Sequence, residues 1–240
     1  MTEQSLLPSQ HFKSISCSGT NPGTRLIVLG AVHGNETCGT QAIGRIAAEF
    51  DAGTMVLSRG SLTMVPITNP LAYLLKQRQG DRNLNRNLYP NVQPRDYEDT
   101  IANVLCPMLA AHDVLLDLHS FNSAGRPFAM LGPRNNTGAL EPFAKAELEE
   151  RIVAHLGPAR VVEGWLDTYA RGVQRRRDRG VTAPLQTDWA YGVGTTEYIR
   201  AQGGCSVTLE CGQHVDPDAP AVAYRAITQT LALLGMTDSV

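Results

Sequence analysis

The sequence predicts a single α/β domain with a mainly parallel or mixed central sheet and helices on both faces. Three observations predict it. Short apolar runs at residues 26–29, 114–118 and 206–209 each end in a polar or glycine-bearing turn, as buried strands do. Segments with helical spacing alternate with those runs along the whole chain. No composition break or internal repeat divides residues 1–240, so one domain is expected.

Residues 1–23 read as a polar lead-in, and the first strand is expected over 25–31. Cys38, Ala42, Ile46 and Phe50 fall at four-residue steps, one face of a helix over 37–50. A β-rich run at 61–67 closes on Thr68-Asn69-Pro70, and 71–77 is a short helical segment. Residues 80–94, rich in Asn and holding two Pro, are expected as loop. Tyr97, Ile101, Val104, Leu105, Met108 and Leu109 mark a second long helix. Strands follow at 113–119 and 127–131, then a charged amphipathic helix at 141–156 and a strand near 160–165. Residues 167–187 carry Arg171, Arg175, Arg176, Arg177 and Arg179 without helical or strand pattern. They are expected as a solvated loop, with a lid facing the substrate as the alternative. A short helix at 195–202, N-capped by Thr195, precedes a strand at 205–210 and a closing helix at 217–234.

Lys+Arg 21 against Asp+Glu 23 gives a net charge of -2, which implies no general attraction for nucleic acid or an anionic membrane. No run of apolar residues is long enough to span a bilayer, and residues 1–16 lack a signal-peptide core, so a cytoplasmic location is expected. The odd number of cysteines, Cys17, Cys38, Cys106, Cys205 and Cys211, has no CxxC pair and reads as free thiols.

The chemistry is expected at strand ends. His33 and Glu36 follow the first strand, and imidazole and carboxylate both suit zinc. An H-x-x-E pair is weak evidence alone, and a catalytic zinc usually takes a third protein ligand. His119, closing the 114–118 run, fills that place, with Asp117 positioned to orient its ring. Glu210 ends an apolar strand and is the candidate general base, ahead of Glu197, which lies in a helix's first turn. The loop 78–86 supplies three guanidinium groups and three side-chain amides, from which one Arg could polarise a carbonyl and another bind a carboxylate.

The stretches H-G-N-E at 33–36, I-T-N-P at 67–70, N-L-N-R at 83–86, D-L-H-S at 117–120 and L-E-C-G at 209–212 occur in this order. Together they resemble the succinylglutamate desuccinylase/aspartoacylase family, related to the zinc carboxypeptidases. The resemblance implies one zinc per chain held by His33, Glu36 and His119, with Glu210 as general base and acid. It further implies Arg78 as the carbonyl-polarising residue, Asn85 and Arg86 as substrate-carboxylate ligands, and Arg200 as an additional substrate contact. Two departures stand out: Asn83 replaces the Asp that commonly begins the loop motif, and the chain ends where fuller aspartoacylases carry a β-rich C-terminal domain. A more open cleft is the expected consequence of the second. The implied activity is zinc-dependent deacylation of a small carboxylate-bearing amide. A carboxypeptidase or peptide amidase and a catalytically silent binder are the alternatives.

Overall fold

Seven strands carry the architecture of the computed structural model, which describes residues 11–139, 141–183 and 187–237. They are β1 (Ile15–Ser18), β2 (Asn21–Leu29), β3 (Arg59–Val65), β4 (Val114–Phe121), β5 (Phe128–Met130), β6 (Val161–Val162) and β7 (Cys205–Gln213). They form one mixed sheet in the order β1-β3-β2-β4-β7-β5-β6. The helices described are α1 (Cys38–Asp51), α2 (Pro70–Leu75), α3 (Tyr97–Ala110), α4 (Ala146–His155), α5 (Trp165–Asp178), α6 (Thr195–Ala201) and α7 (Ala219–Leu233).

Successive strand residues face opposite sides, and a strand covered on both sides is apolar throughout. Leu26 to Leu29 shows this: all four are fully buried. Leu26 and Val28 pack with Leu116 and Val207 beneath Ile43 and Ile46 of α1, Ile152 of α4 and Ile227 of α7. Ile27 and Leu29 pack with Leu115 on the other face, beneath Leu105 of α3 and Ile199 of α6. The expected single α/β domain with helices on both faces is the one observed.

The three central strands β2, β4 and β7 run parallel, with Leu29 opposite Asp117 and His119 opposite Glu210. Their carboxyl ends therefore lie side by side, where ligands collect in open α/β sheets. Among the described residues, no helix is long and apolar enough to cross a membrane, and all five cysteines are free.

Three expectations need correction. Residues 15–18, expected within the lead-in, form β1, antiparallel to β3. Its alternation offers only Ile15 and Cys17 to the core, too little to register as a strand pattern. The strand expected near 160–165 shrinks to the two residues of β6. The Arg-rich segment is not a solvated loop over most of its length, because α5 occupies Trp165–Asp178. Its inward stripe is Leu166, Tyr169, Ala170 and Val173, of which only Val173 is fully buried, so the apolar periodicity among the arginines is weak. Residues 1–10 of the lead-in and 184–186 of the Arg-rich segment lie outside the described residues.

Candidate active site

The turn after β2 is held by main chain on two sides. Thr68 N–H donates to Gly30 O at 2.9 Å and Asn69 N–H to Ala31 O at 3.0 Å, while the Asn69 side chain caps α2 by accepting from Ala72 N–H. Ala31 is fully buried with φ of 47°, a conformation rare for a residue with a Cβ. Gly34 does not have positive φ; its requirement is space, since a Cβ there would sit 2.0 Å from the backbone carbon of Ala72. With α2 pressed so close, His33 and Glu36 point toward the end of β4.

There the imidazoles of His33 and His119 bracket the Glu36 carboxylate. His33 Nδ1 is 2.9 Å from Glu36 Oε1, and His119 Nδ1 is 2.8 Å from Glu36 Oε2. The far nitrogen of the His33 ring is also occupied. His33 Nε2 is 3.1 Å from Asn83 Oδ1, an oxygen that also accepts the Asn85 N–H at 2.9 Å. That second bond fixes the amide orientation, so His33 Nε2 carries the proton and Nδ1 keeps a bare lone pair. Burial lowers the His33 pKa and keeps the ring neutral. The lone pair faces Glu36 Oε1, a second acceptor, and His33 Nδ1 is buried with no hydrogen bond.

His119 differs. Burial works against its charge, but Asp117 Oδ2 at 3.0 Å and Glu36 Oε2 outweigh it and raise its pKa well above the ordinary value. A proton thus lies between His119 and Glu36, where a cation would displace it. The candidate donor atoms of His33, Glu36 and His119 lie within 4.8 Å of one another, and all three residues are buried. Two imidazole nitrogens and a carboxylate, with Asn83, Asp117 and the Ser120 N–H set behind them, fit a divalent cation with N/O preference once the His119 proton is displaced.

Glu210 faces the same small cleft as His33, His119, Arg78, Asn85 and Arg86. Its Oε2 is buried without a hydrogen-bond partner, and burial pushes the carboxyl up to about 7. Arg78 reaches in from a half-exposed position and donates to Glu36 Oε1 at 2.9 Å. The loop carrying it is fixed by Glu98, a fully buried carboxylate that accepts from Asn69 Nδ2 and from the N–H groups of Gly80, Asp81 and Arg82. Arg82, the remaining guanidinium of the loop, is tied to Asp96 and Asp99 and braces the backbone at Arg86 O.

Asn85 Oδ1 accepts from Thr195 N–H at 2.8 Å, and Thr195 Oγ1 also reaches Asp117 Oδ2. Thr195 therefore links the substrate-side loop to the carboxylate behind His119. It is the first residue of α6 rather than its N-cap, which is Gly194. Arg86 lies 4.2 Å over the Tyr169 ring and donates to the Tyr169 hydroxyl. Trp165, from the same helix, and Met130 line the cleft, together with Thr196, Glu197 and Thr208. Sequence reasoning missed Trp165, Tyr169 and Thr195, because only the packing of α5 and α6 brings them to the strand ends. The i, i+3, i+7 spacing of Leu166, Tyr169 and Val173 in α5 was the available signal.

Arg200 does not join them. Its guanidinium, 4% exposed, donates to Glu149, Glu141 and Ser206 O, and it is absent from the cleft lining. The substrate contact expected of it is withdrawn: its donors are spent joining α4 and α6 to β7. Arg200→Met is expected to cost about 3–5 kcal/mol by leaving Glu149 buried and unpaired, read as a lower denaturation midpoint. Glu197, the weaker base candidate, accepts from Gly194 N–H at 2.9 Å and so closes the first turn of α6.

Comparison with known structures places this arrangement. A product-bound ectoine utilization protein EutE (DoeB) from Ruegeria pomeroyi is 21% identical with a TM-score of 0.68, over 92% of this chain and 60% of that one. A succinylglutamate desuccinylase/aspartoacylase from Rhodobacter sphaeroides is 18% identical with a TM-score of 0.70, over 95% and 60%. The tripeptide-bound cell shape determinant Csd4 from Helicobacter pylori is 15% identical with a TM-score of 0.68, over 96% and 57%. The chain thus spans about three fifths of these proteins' length, and at such identities the likeness is one of fold. No curated protein matches in sequence. The model of the succinylglutamate desuccinylase/aspartoacylase catalytic domain matches residues 22–232, and over that span the chain belongs to the succinylglutamate desuccinylase/aspartoacylase family.

Proposed function

We propose that the chain is a zinc-dependent amide hydrolase that removes the acyl group from an N-acyl amino acid or a similar small carboxylate-bearing amide. The observation that carries this reading is the pair of imidazole Nδ1 atoms converging on Glu36, with His33 Nε2 bonded to Asn83 and His119 Nε2 facing Asp117, beside the unpaired oxygen of Glu210. His33, Glu36 and His119 would hold the zinc. When bound, it supplies positive charge that favours proton loss from a water and stabilises a developing oxyanion.

The chain's own groups do the rest. Glu210, in its carboxylate form, takes the proton of the attacking water and delivers it to the departing amine. Arg78 offers N–H groups to the carbonyl oxygen, which gains charge as the bond is attacked. Arg86 and the Asn85 amide nitrogen grip a substrate carboxylate, with Arg86 aimed by Tyr169. Trp165 and Met130 wall the cleft with apolar surface that limits water around the scissile bond.

Elemental analysis of untagged protein is expected to find about one zinc per chain, and zinc-loaded protein to deacylate members of an N-acyl amino acid panel. Turnover unaffected by chelators, in protein without metal, would sink the reading. A short-peptide substrate is the second reading, supported by the fold shared with the tripeptide-bound Csd4. Peptides hydrolysed faster than every N-acyl amino acid would select it.

Tyr169→Ala is expected to raise KM for a carboxylate-bearing substrate about three- to tenfold with kcat little changed, since one cation–π contact and one hydrogen bond aim Arg86. The matching amide, lacking the carboxylate, should show no such rise. Steady-state kinetics on the two substrates make the comparison.

A further inference from the structure

Three polar side chains outside the lining of the cleft join the strand ends behind the ligand set. His214 follows the last residue of β7, and its N–H donates to Phe121 O of β4 at 2.9 Å. Its Nδ1 lies 2.8 Å from Ser120 Oγ and its Nε2 3.3 Å from Asn35 Nδ2. Each partner adjoins a candidate ligand in sequence. Ser120 follows His119, and its own N–H donates to Glu36 Oε2 at 3.2 Å; Asn35 lies between Gly34 and Glu36. One imidazole thus ties the turn after β2, which bears His33 and Glu36, to the carboxyl ends of β4 and β7, which bear His119 and Glu210.

Imidazole suits the place because its two nitrogens point to opposite sides, and the neutral ring donates at one and accepts at the other. The Asn35 amide donates to Nε2, which leaves the Nδ1–H for Ser120 Oγ. Asn35 Oδ1 is buried without a partner, so the bond to His214 is what fixes that amide. Without the ring, Asn35 Nδ2 would lose this partner while Oδ1 stays buried without one, a loss that favours turning the amide, and the turn with it, toward water. His33 and Glu36 stand on either side of Asn35 in that turn and would move with it.

We propose that His214 is a positioning residue for the metal site, holding the three strand ends in the spacing the cation requires; this rests on the zinc reading above. His112 offers a contrast within the molecule. It too bridges, with Nδ1 2.6 Å from Met108 O and Nε2 2.9 Å from Thr63 Oγ1, but before the start of β4, at the far end of the sheet. Its loss should cost stability without touching the metal.

The test is zinc affinity, measured by competition with a chromophoric chelator, for the parent chain and for His214→Ala, His214→Gln, Ser120→Ala and His112→Ala. The expected result is about a tenfold loss for His214→Ala, the effect usual for groups behind metal ligands. Ser120→Ala should show a smaller loss, His214→Gln a partial recovery, and His112→Ala the parent's affinity with a lower Tm. Parent affinity in His214→Ala overturns the proposal, as does an equal loss in His112→Ala, which would mark general destabilisation. If His214→Ala does not fold, Ser120→Ala decides by the same criterion. A parent chain that binds no zinc defeats the metal-site reading itself, and that outcome is visible without any variant.

Discussion

Replacing Glu210 with Gln is expected to lower kcat by about 10²–10⁴-fold, the usual contribution of a positioned acid–base group, while zinc remains bound. The substitution keeps the size of the side chain and removes only its capacity to carry a proton. Metal retention, checked by elemental analysis, separates loss of the base from loss of the site. A variant with the parent's turnover would remove Glu210 from the mechanism.

The same substitution carries a stability signature. In the chain without metal, burial raises the Glu210 pKa from an ordinary 4.5 to about 7. Between those two values the folded chain keeps a proton that the unfolded chain has released. Its stabilising effect is present in full below pH 4.5 and is lost as pH rises through 7. Above that, the fold carries a buried carboxylate that costs about 3 kcal/mol at 1.36 kcal/mol per pKa unit. Glu210→Gln should therefore raise the Tm of chelator-treated protein at pH 8 and change it little at pH 4.5. Equal Tm differences at the two pH values would contradict the burial argument. In zinc-loaded protein the nearby positive charge favours the carboxylate, so the acid limb of the kcat/KM profile should fall below 7.

His119→Ala is expected to reduce zinc affinity by more than about 100-fold, beyond the 10–100-fold usual for groups that merely brace a ligand. Turnover should drop to that of the chelator-treated parent. Thermal denaturation gives an independent reading. Zinc at 100 times its Kd stabilises the native state by about 2.7 kcal/mol, a rise of roughly 5–10 °C for a chain this long. The parent should show that rise and the variant should lose it at the same zinc concentration. His119 ceases to be a ligand if the variant keeps the full rise.

The legibility of this site varied with the kind of residue. His33, Glu36, His119 and Glu210 were readable because each ends an apolar run, and a strand end in an α/β sheet is a predictable location. The order of the strands was not readable. That β2, β4 and β7 are neighbours, with His119 opposite Glu210, follows from hydrogen-bond pairing across long stretches of chain. Arg200 shows the limit from the other side. Its spacing from Glu210 matched a substrate contact, but Glu149 and Glu141, more than fifty residues away in sequence, claim its guanidinium. Gly34 stands between the candidate ligands because the backbone of α2 leaves no room for a Cβ there, a contact between separate segments.

By itself, then, the sequence determined the layered α/β plan and pointed to the candidate ligand triplet and the candidate base, because apolar periodicity and strand-end chemistry are local properties. Tertiary structure alone decided which arginines face the cleft, that an aromatic helix aims Arg86, and that Asn83 and His214 stand behind the donor atoms. These are contacts between distant segments, and they depend on side-chain packing that no local pattern encodes.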